Sequence, residues 1–582
     1  MKIGKEKTMN TFFGSLQHVF ATANKIQMLW GIGVLLVMLI LAVLHHIWRD
    51  DPKKLGRWRL LCLLPLLICI AHFVIYVNSC TQLLSFFIPL YLLGIFALLP
   101  MITAKRRIGH RIMLVPVALL SAFAGFYYCG TAPNVFNFSR KSYTDSFHAM
   151  IQAMDQYYVL KEWKEVDFAA LEAKYLPLVH SAEQEQNPAK FEEAVGLVKN
   201  ELHDGHVFVE GDYDRDTYKA DRKLFGYGLS MVRLSSGEVI AICTDEAVQK
   251  QGISDGTVIT KWNGKPVLQA ADEDVPDLGM PVKANDDFLA VMNLCMTGEE
   301  TVEVSYLDKN GKEQTVKLSD IGNMEAHHKA FELFTKEQDF ETMEELYTAN
   351  FSTKMLNDNC GYIQVIAEGT EHGVQDILGY LMGDHKWARE MFREKLNDLK
   401  AQGMEYLVID LRNNMGGLDE IGCALCDLLT DQEWYGQGLG IRKNGQYTCV
   451  SDHGIHGTGE FADLQVVALT NYGCVSAGDG TALYLSKLPN VTLAGITDPQ
   501  GCNQETGGIC VLTDGAVAIG FPTGLVLDET GVPNVETKTD RISRNPVEER
   551  IPLDHDAAMA IFRDGQDYEL DWAVKYLEDH AE

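Results

Sequence analysis

Four apolar runs without Asp, Glu, Lys or Arg open the chain, at 26–48, 60–77, 83–104 and 112–128. A membrane-crossing helix needs about 20 such residues, so the pattern predicts a head of four transmembrane helices within residues 1–130. Beyond it the period changes. Helical stripes at 145–157 and 190–202 predict a helical subdomain over 142–223. Short alternating runs at 257–262 and 301–307, with turns at Asn263-Gly264 and Asn310-Gly311, predict a small β-domain over 224–318. The stretch 319–358 reads as a helical insertion. From 359 onward, apolar runs at 362–367, 406–411, 464–470 and 491–496 alternate with helical segments. That punctuation predicts an α/β core over 359–582 with a mostly parallel sheet.

Charge separates the head from the body. Residues 1–130 hold 13 Lys and Arg against three acids, whereas the whole chain carries a net charge of −30. The basic residues cluster in the first connection (Arg49, Lys53, Lys54, Arg57, Arg59) and the third (Lys105, Arg106, Arg107, Arg111), while the second, 78–82, has none. Positive loops stay in the cytoplasm, so the second loop and everything after residue 130 are expected outside. Lys2, Lys5, Lys7 and Lys25 run against this assignment. An acidic body excludes nucleic acid as a partner, because phosphate contacts need Lys and Arg. Of the 13 cysteines, nine lie in the body. Cys502 and Cys510 flank a Gly-rich turn and are a candidate pair. Cys423 and Cys426 share one helix face and read as buried packing, with no second pair at zinc spacing. His327-His328 reads as a solvated pair, since adjacent residues point to different faces. No metal or cofactor is expected.

Three segments carry candidate chemistry. In YLVIDLRNNMGG, 406–417, a buried strand ends in Gly416-Gly417, where glycines allow a tight turn and leave bare N–H groups. In 469–485 another strand ends, and Ser476 stands at the turn into a helix. A hydroxyl there, beside glycine amides, suits a nucleophile next to an oxyanion hole. The third is Leu202-His203-Asp204-Gly205-His206. Each has a plainer reading: Ser476 as a helix cap, His206 as a core histidine, and the glycines as a helix entry.

Together these motifs resemble the C-terminal processing, or tail-specific, serine peptidases, and more closely their tricorn-like and interphotoreceptor-retinoid-binding-protein-like branch. The resemblance spans 142–575, with VIDLRNNMGG, Cys474-Val475-Ser476-Ala477-Gly478-Asp479 and the closing GVPNVETKTD as its most specific parts. It implies a core of the ClpP/crotonase kind. It also implies Ser476 as nucleophile and an oxyanion hole from Gly416, Gly417 and Ala477. The bacterial branch uses a Lys about 25 residues after the Ser, and that segment here, 495–503, has none. Lys487 sits 11 residues on, about 16 Å along a helix at 1.5 Å per residue. The tricorn-like branch implies instead His206 as base and Glu529 as its carboxylate helper, although Asp528 and Glu536 lie close by. The stretch FGYGLSMV, with QKQGISDGTVITKWNGKPV after it, resembles a PDZ domain. That implies a peptide-binding loop at Gly226, Tyr227, Gly228 and Leu229.

The expectation is a membrane-anchored serine endopeptidase. It is multi-pass in the cell membrane, held in the lipid bilayer through 26–128, with its catalytic body outside and protein or peptide substrates as partners. The rival reading is a catalytically degenerate peptide-binding or sensor protein on the same fold.

Overall fold

The computed structural model describes residues 25–48, 50–98, 135–211, 225–296, 300–336, 338, 340–372, 375–376, 386–443, 446–501, 503–528 and 530–580. Where four spans are expected, the described residues hold two helices long and apolar enough to cross a membrane, Leu29–Trp48 and Pro52–Val77. The third run forms the shorter helix Thr81–Phe96, and the fourth lies outside the described residues. The basic residues expected in a first loop mostly stand on a helix, Pro52–Leu61. Asp51 caps its start by accepting from Lys53 N–H and Lys54 N–H, and proline occupies its first turn. The first long helix leaves Leu29, Leu36, Leu39, Ile40, Val43 and Ile47 exposed.

This head touches the body. Asn137 N–H donates to the Tyr76 hydroxyl at 3.0 Å, and the Ser139 hydroxyl donates to Ser79 Oγ at 2.8 Å. The 78–82 connection therefore lies against the strand Val135–Asn137.

Three sheets organise the rest. The first has five parallel strands in the order Glu549–Arg550, Val491–Gly495, Gln465–Leu469, Tyr406–Asp410 and Cys360–Gln364, and the antiparallel Thr353–Met355 closes one edge. Its strands are apolar on both faces because the helices Lys386–Ala401 and Asp419–Leu429 cover one and the helix Tyr568–Asp579 helps cover the other. Register pairs Asp410 with Leu469 and Leu469 with Ala494, so these strand ends are level, and the segments that follow them meet in one crevice.

The second sheet was not anticipated and makes the body mixed rather than mostly parallel. Gln504–Val511, Val517–Asp528, Glu433–Lys443 and Gln446–His456 run antiparallel in sequence, and Val135–Asn137 joins in parallel. Phe208–Gly211 also pairs with Val517–Asp528, which fixes the chain just past His206. The helices Tyr143–Tyr157, Phe168–Glu185 and Pro188–Asn200 pack on this sheet, each started by a side-chain cap from Ser142, Asp167 or Asn187.

The third sheet is antiparallel, from Ser230–Arg233 to Glu313–Ser319. Its expected peptide loop is closed by the chain itself. Gly226, Tyr227, Gly228 and Leu229 are buried, Gly226 N–H donates to Asp320 Oδ1 at 3.1 Å, and Gly226 O accepts from Ile321 N–H at 2.8 Å. The groove between Ser230–Arg233 and the helix Lys283–Leu294 takes in Ala330 and Phe334 of the helix Glu325–Thr335, with the Phe288 and Phe334 rings 4.5 Å apart. His327, expected to be solvated, is buried in that helix beside Phe331, and burial pushes its imidazole down to about 4. Cys423, Cys426 and Cys510 are free buried thiols, and Cys502 lies outside the described residues.

Beneath the crevice, buried Arg412 pairs with Asp410 at 2.7 Å, Asp567 at 2.7 Å and Glu569 at 3.2 Å, tying the C-terminal helix Tyr568–Asp579 to the first sheet. Removing one partner of such a network leaves buried charge uncompensated. Arg412→Ala is expected to cost about 3–5 kcal/mol of unfolding free energy, read by urea titration of the detergent-solubilised chain. A loss below about 1 kcal/mol would show that the network is solvated.

Candidate active site

Ser476 stands between the strand Gln465–Leu469 and the helix Ala477–Ser486. Its backbone has φ 58° and ψ −130°, a conformation costly for any residue with a Cβ. As first residue of the turn it would ordinarily cap the helix, yet its hydroxyl makes no capping bond. Ser476 Oγ lies 3.0 Å from His206 Nε2 instead. A strained turn that lifts a hydroxyl off its helix and aims it at an imidazole is the arrangement of an activated nucleophile.

The 411–418 loop supports that turn. Gly416 has φ +78°, and a Cβ there would fall 2.4 Å from Ser476 Cβ and 2.8 Å from Ala477 N. Gly417 has φ +149°, and a Cβ there would meet Glu368 O at 2.2 Å. Only glycine fits either place. Gly416 N–H donates to Asn414 Oδ1 at 2.8 Å, so of the three expected oxyanion donors it is already engaged. Among the described residues, Gly417 N–H and Ala477 N–H have no partner in the chain.

His206 is held from behind. Its own N–H donates to Asp204 Oδ1 at 2.8 Å. Buried Asp204 also accepts from the Tyr158 hydroxyl at 2.7 Å and from Gln504 Nε2 at 3.2 Å. His206 Nδ1 and Gln504 Oε1 are both buried without a hydrogen-bond partner among the described residues, and Gln504 is near enough to act on the His206 imidazole. A Gln anchored through its nitrogen offers its oxygen to an Nδ1–H, which leaves Nε2 bare toward the serine. Burial depresses the His206 imidazole below its ordinary value, with Asp204 and Gln504 opposing in part.

The other expected groups are placed as follows. Glu529 lies outside the described residues. Asp528 accepts from Thr530 N–H and Val532 N–H in a local turn. Glu536 is buried in an ion pair with Lys164. Lys487 is exposed at the far end of the helix that Ser476 begins. Among the described residues no group of three or more His, Cys, Asp or Glu is placed to hold a metal. Asp204 was visible in its motif without a role. Gln504 and Asn414 gave no signal, because an amide matters only through its partner, and those partners are far away in sequence.

Residues 360–531 match the model of Peptidase family S41. No curated protein matches the chain. Among solved structures, the chain is similar to mature CPAF complexed with lactacystin, at 12% identity over 75% of this chain and 97% of that one, TM-score 0.47. It is also similar to the photosystem II D1 C-terminal processing protease, at 18% identity over 74% and 98%, TM-score 0.32. A third is the tricorn protease, at 13% identity over 75% and 37%, TM-score 0.33. None of these remote likenesses bears on the chemistry.

The close packing of Gly416 against Ser476 makes it a sharp test. Gly416→Ala is expected to lower reactivity at Ser476 at least about 100-fold, since a displacement of about 1 Å has that effect. Gly369→Ala nearby, where a Cβ meets open space, is expected to leave it unchanged. Fluorophosphonate labelling rates of the two variants check this, and equal rates would contradict the packing.

Proposed function

We propose that the chain is a membrane-anchored serine endopeptidase that uses a histidine base, as in the tricorn-like branch. The observation that carries the reading is the 3.0 Å contact between Ser476 Oγ and His206 Nε2, at a serine whose strained backbone keeps it from capping its own helix.

The chemistry follows from the groups in reach. Ser476 Oγ attacks the peptide carbonyl carbon as His206 Nε2 takes its proton. Negative charge develops on the carbonyl oxygen, where Ala477 N–H and Gly417 N–H are the available donors. Gln504 Oε1 receives the Nδ1–H of the imidazolium, and Asp204 keeps both groups in place. The C–N bond then breaks, and His206 returns the proton to the departing amine. Water, deprotonated by the same imidazole, attacks the acyl-serine and releases the acid. Lys487 has no part, being a helix length away. Exposed apolar side chains along Leu29–Trp48 support burial of that helix in lipid. The bonds from Tyr76 and Ser79 to Asn137 and Ser139 support one side of the membrane for the 78–82 connection and the body, and the uncharged connection argues for the outer side.

Two outcomes are expected. First, kcat/KM for peptide cleavage rises with pH along one limb, and its midpoint lies below the free imidazole value of about 6.5 because burial favours neutral His206. Ser476→Ala and His206→Ala each remove turnover, and the double variant is little worse than either. Activity in His206→Ala that Lys487→Ala abolishes would overturn the base. Second, a topology reporter fused at residue 140 reads as extracytoplasmic. A cytoplasmic signal would put the body on the other side.

A further inference from the structure

Behind the active-site loop lies a carboxyl group that the acyl transfer does not use. Glu368 follows the strand Cys360–Gln364 and is 1% exposed. Its backbone clasps the glycine pair, with Glu368 N–H donating to Gly416 O at 3.0 Å and Glu368 O accepting from Leu418 N–H at 2.9 Å. Its side chain grips the same region from inside. Glu368 Oε1 accepts from Asn414 Nδ2 at 2.9 Å and from the Thr481 hydroxyl at 2.9 Å. Asn414 is the residue whose Oδ1 holds Gly416 N–H, and its main-chain O accepts from Val475 N–H at 2.9 Å, one residue before the serine. Thr481 belongs to the helix that Ser476 begins, and it packs against Gly422 of the neighbouring helix so closely that a Cβ at Gly422 would clash with its hydroxyl. One carboxyl oxygen therefore joins the 411–418 loop to the nucleophile's helix.

The second oxygen, Glu368 Oε2, is buried with no partner. The titratable groups that face this carboxyl are Asp419 and Cys426 of the helix Asp419–Leu429 and Cys474 of the turn before Ser476. The loop and the nucleophile's helix present only the neutral Asn414 and Thr481 to it. An anion in this place is opposed by the acid Asp419 and meets no compensating charge from these neighbours.

We propose that Glu368 is a positioning residue for the acyl transfer: its buried carboxyl ties the 411–418 loop to the helix that starts at Ser476, and the uncompensated negative charge placed there on ionisation draws the side chain towards water and disturbs that joint. The inference rests on the serine-peptidase reading of Ser476. Burial, with a smaller contribution from Asp419, pushes the carboxyl up to about 8 against the hydrogen bonds from Thr481 and Asn414. Glu368 thus keeps its proton across neutral pH while an unfolded chain loses it above about 4.3. The folded state consequently loses stability through this group as pH rises from about 4.3 to about 8, and no further beyond that.

Glu368→Gln keeps the accepting oxygen and removes the ionisation. In the detergent-solubilised full-length chain, the rate of fluorophosphonate labelling is expected to fall several-fold above pH 8 in the wild type. Glu368→Gln is expected to lack that fall while keeping the neutral-pH rate within about threefold, whereas Glu368→Ala is at least about tenfold slower at every pH. The same alkaline fall in wild type and Glu368→Gln would overturn the proposal and leave the peptidase reading intact. An unlabelled wild type would overturn the peptidase reading. The thermal midpoint then still decides whether Glu368 is held neutral, because it needs no activity. The difference between Glu368→Gln and wild type should grow more positive from pH 5 to pH 8. A difference that stays flat would overturn the neutral clamp.

Discussion

The site depends on one hydrogen bond between groups 270 residues apart, from Ser476 Oγ to His206 Nε2. Neither group can choose its position alone. Ser476 is held in a left-handed backbone conformation by the close approach of Gly416, which leaves its hydroxyl off the helix it would otherwise cap. His206 is held by Asp204 on one side and by the pairing of Phe208–Gly211 with Val517–Asp528 on the other. Backbone strain of the kind seen at Ser476, of order 1–3 kcal/mol, persists only where the surroundings over-determine the conformation. The parallel sheet supplies the serine and the glycines, the mixed sheet supplies the histidine and Gln504, and the site forms where the two meet.

The supporting groups form a graded shell of polarity. Asp204, Asn414, Gln504, Thr481 and Glu368 are all buried, and each acts by hydrogen bonding a group that touches the reacting serine or its loop. Buried polar groups are costly unless paired, so the orphaned atoms are informative. His206 Nδ1, Gln504 Oε1 and Glu368 Oε2 are three such orphans, all buried around the serine and its loop. The small antiparallel domain takes a different part. Phe334 packs into its groove and Asp320 accepts from Gly226 N–H, while Asn285 donates to the main chain at Asp498 and Pro499, and Gln500 in turn bonds Cys474 O beside the nucleophile. It braces the loop behind the serine.

Much of this was legible in the sequence, and the limits have physical causes. The strands 406–411, 464–470 and 491–496 announced themselves because a parallel strand covered on both faces is a continuous apolar run. Ser476 and the Gly416-Gly417 pair stood at strand ends, where a sharp turn demands small residues. The long strands 433–443 and 517–528 escaped notice, since they are Gly-rich and irregular, with bulges that break the alternation. Glu368 sits in an unremarkable Ala-Glu-Gly segment, and only its burial against Asn414 and Thr481 gives it meaning. Local turn chemistry could not show that the 226–229 loop is buried, with Gly226 N–H donating to Asp320. The head is only partly accounted for: the described helix of the third run ends at Phe96, and residues 99–104 and the fourth run lie outside the described residues.

The most direct test is mass-spectrometric mapping of the adduct formed when the full-length chain reacts with a fluorophosphonate at pH 7.5. A histidine-activated serine predicts one phosphonylated residue, Ser476, with the modification lost in His206→Ala although Ser476 is still present. An adduct absent from the wild type, or one that forms at Ser476 equally well without His206, would contradict the central role of that hydrogen bond.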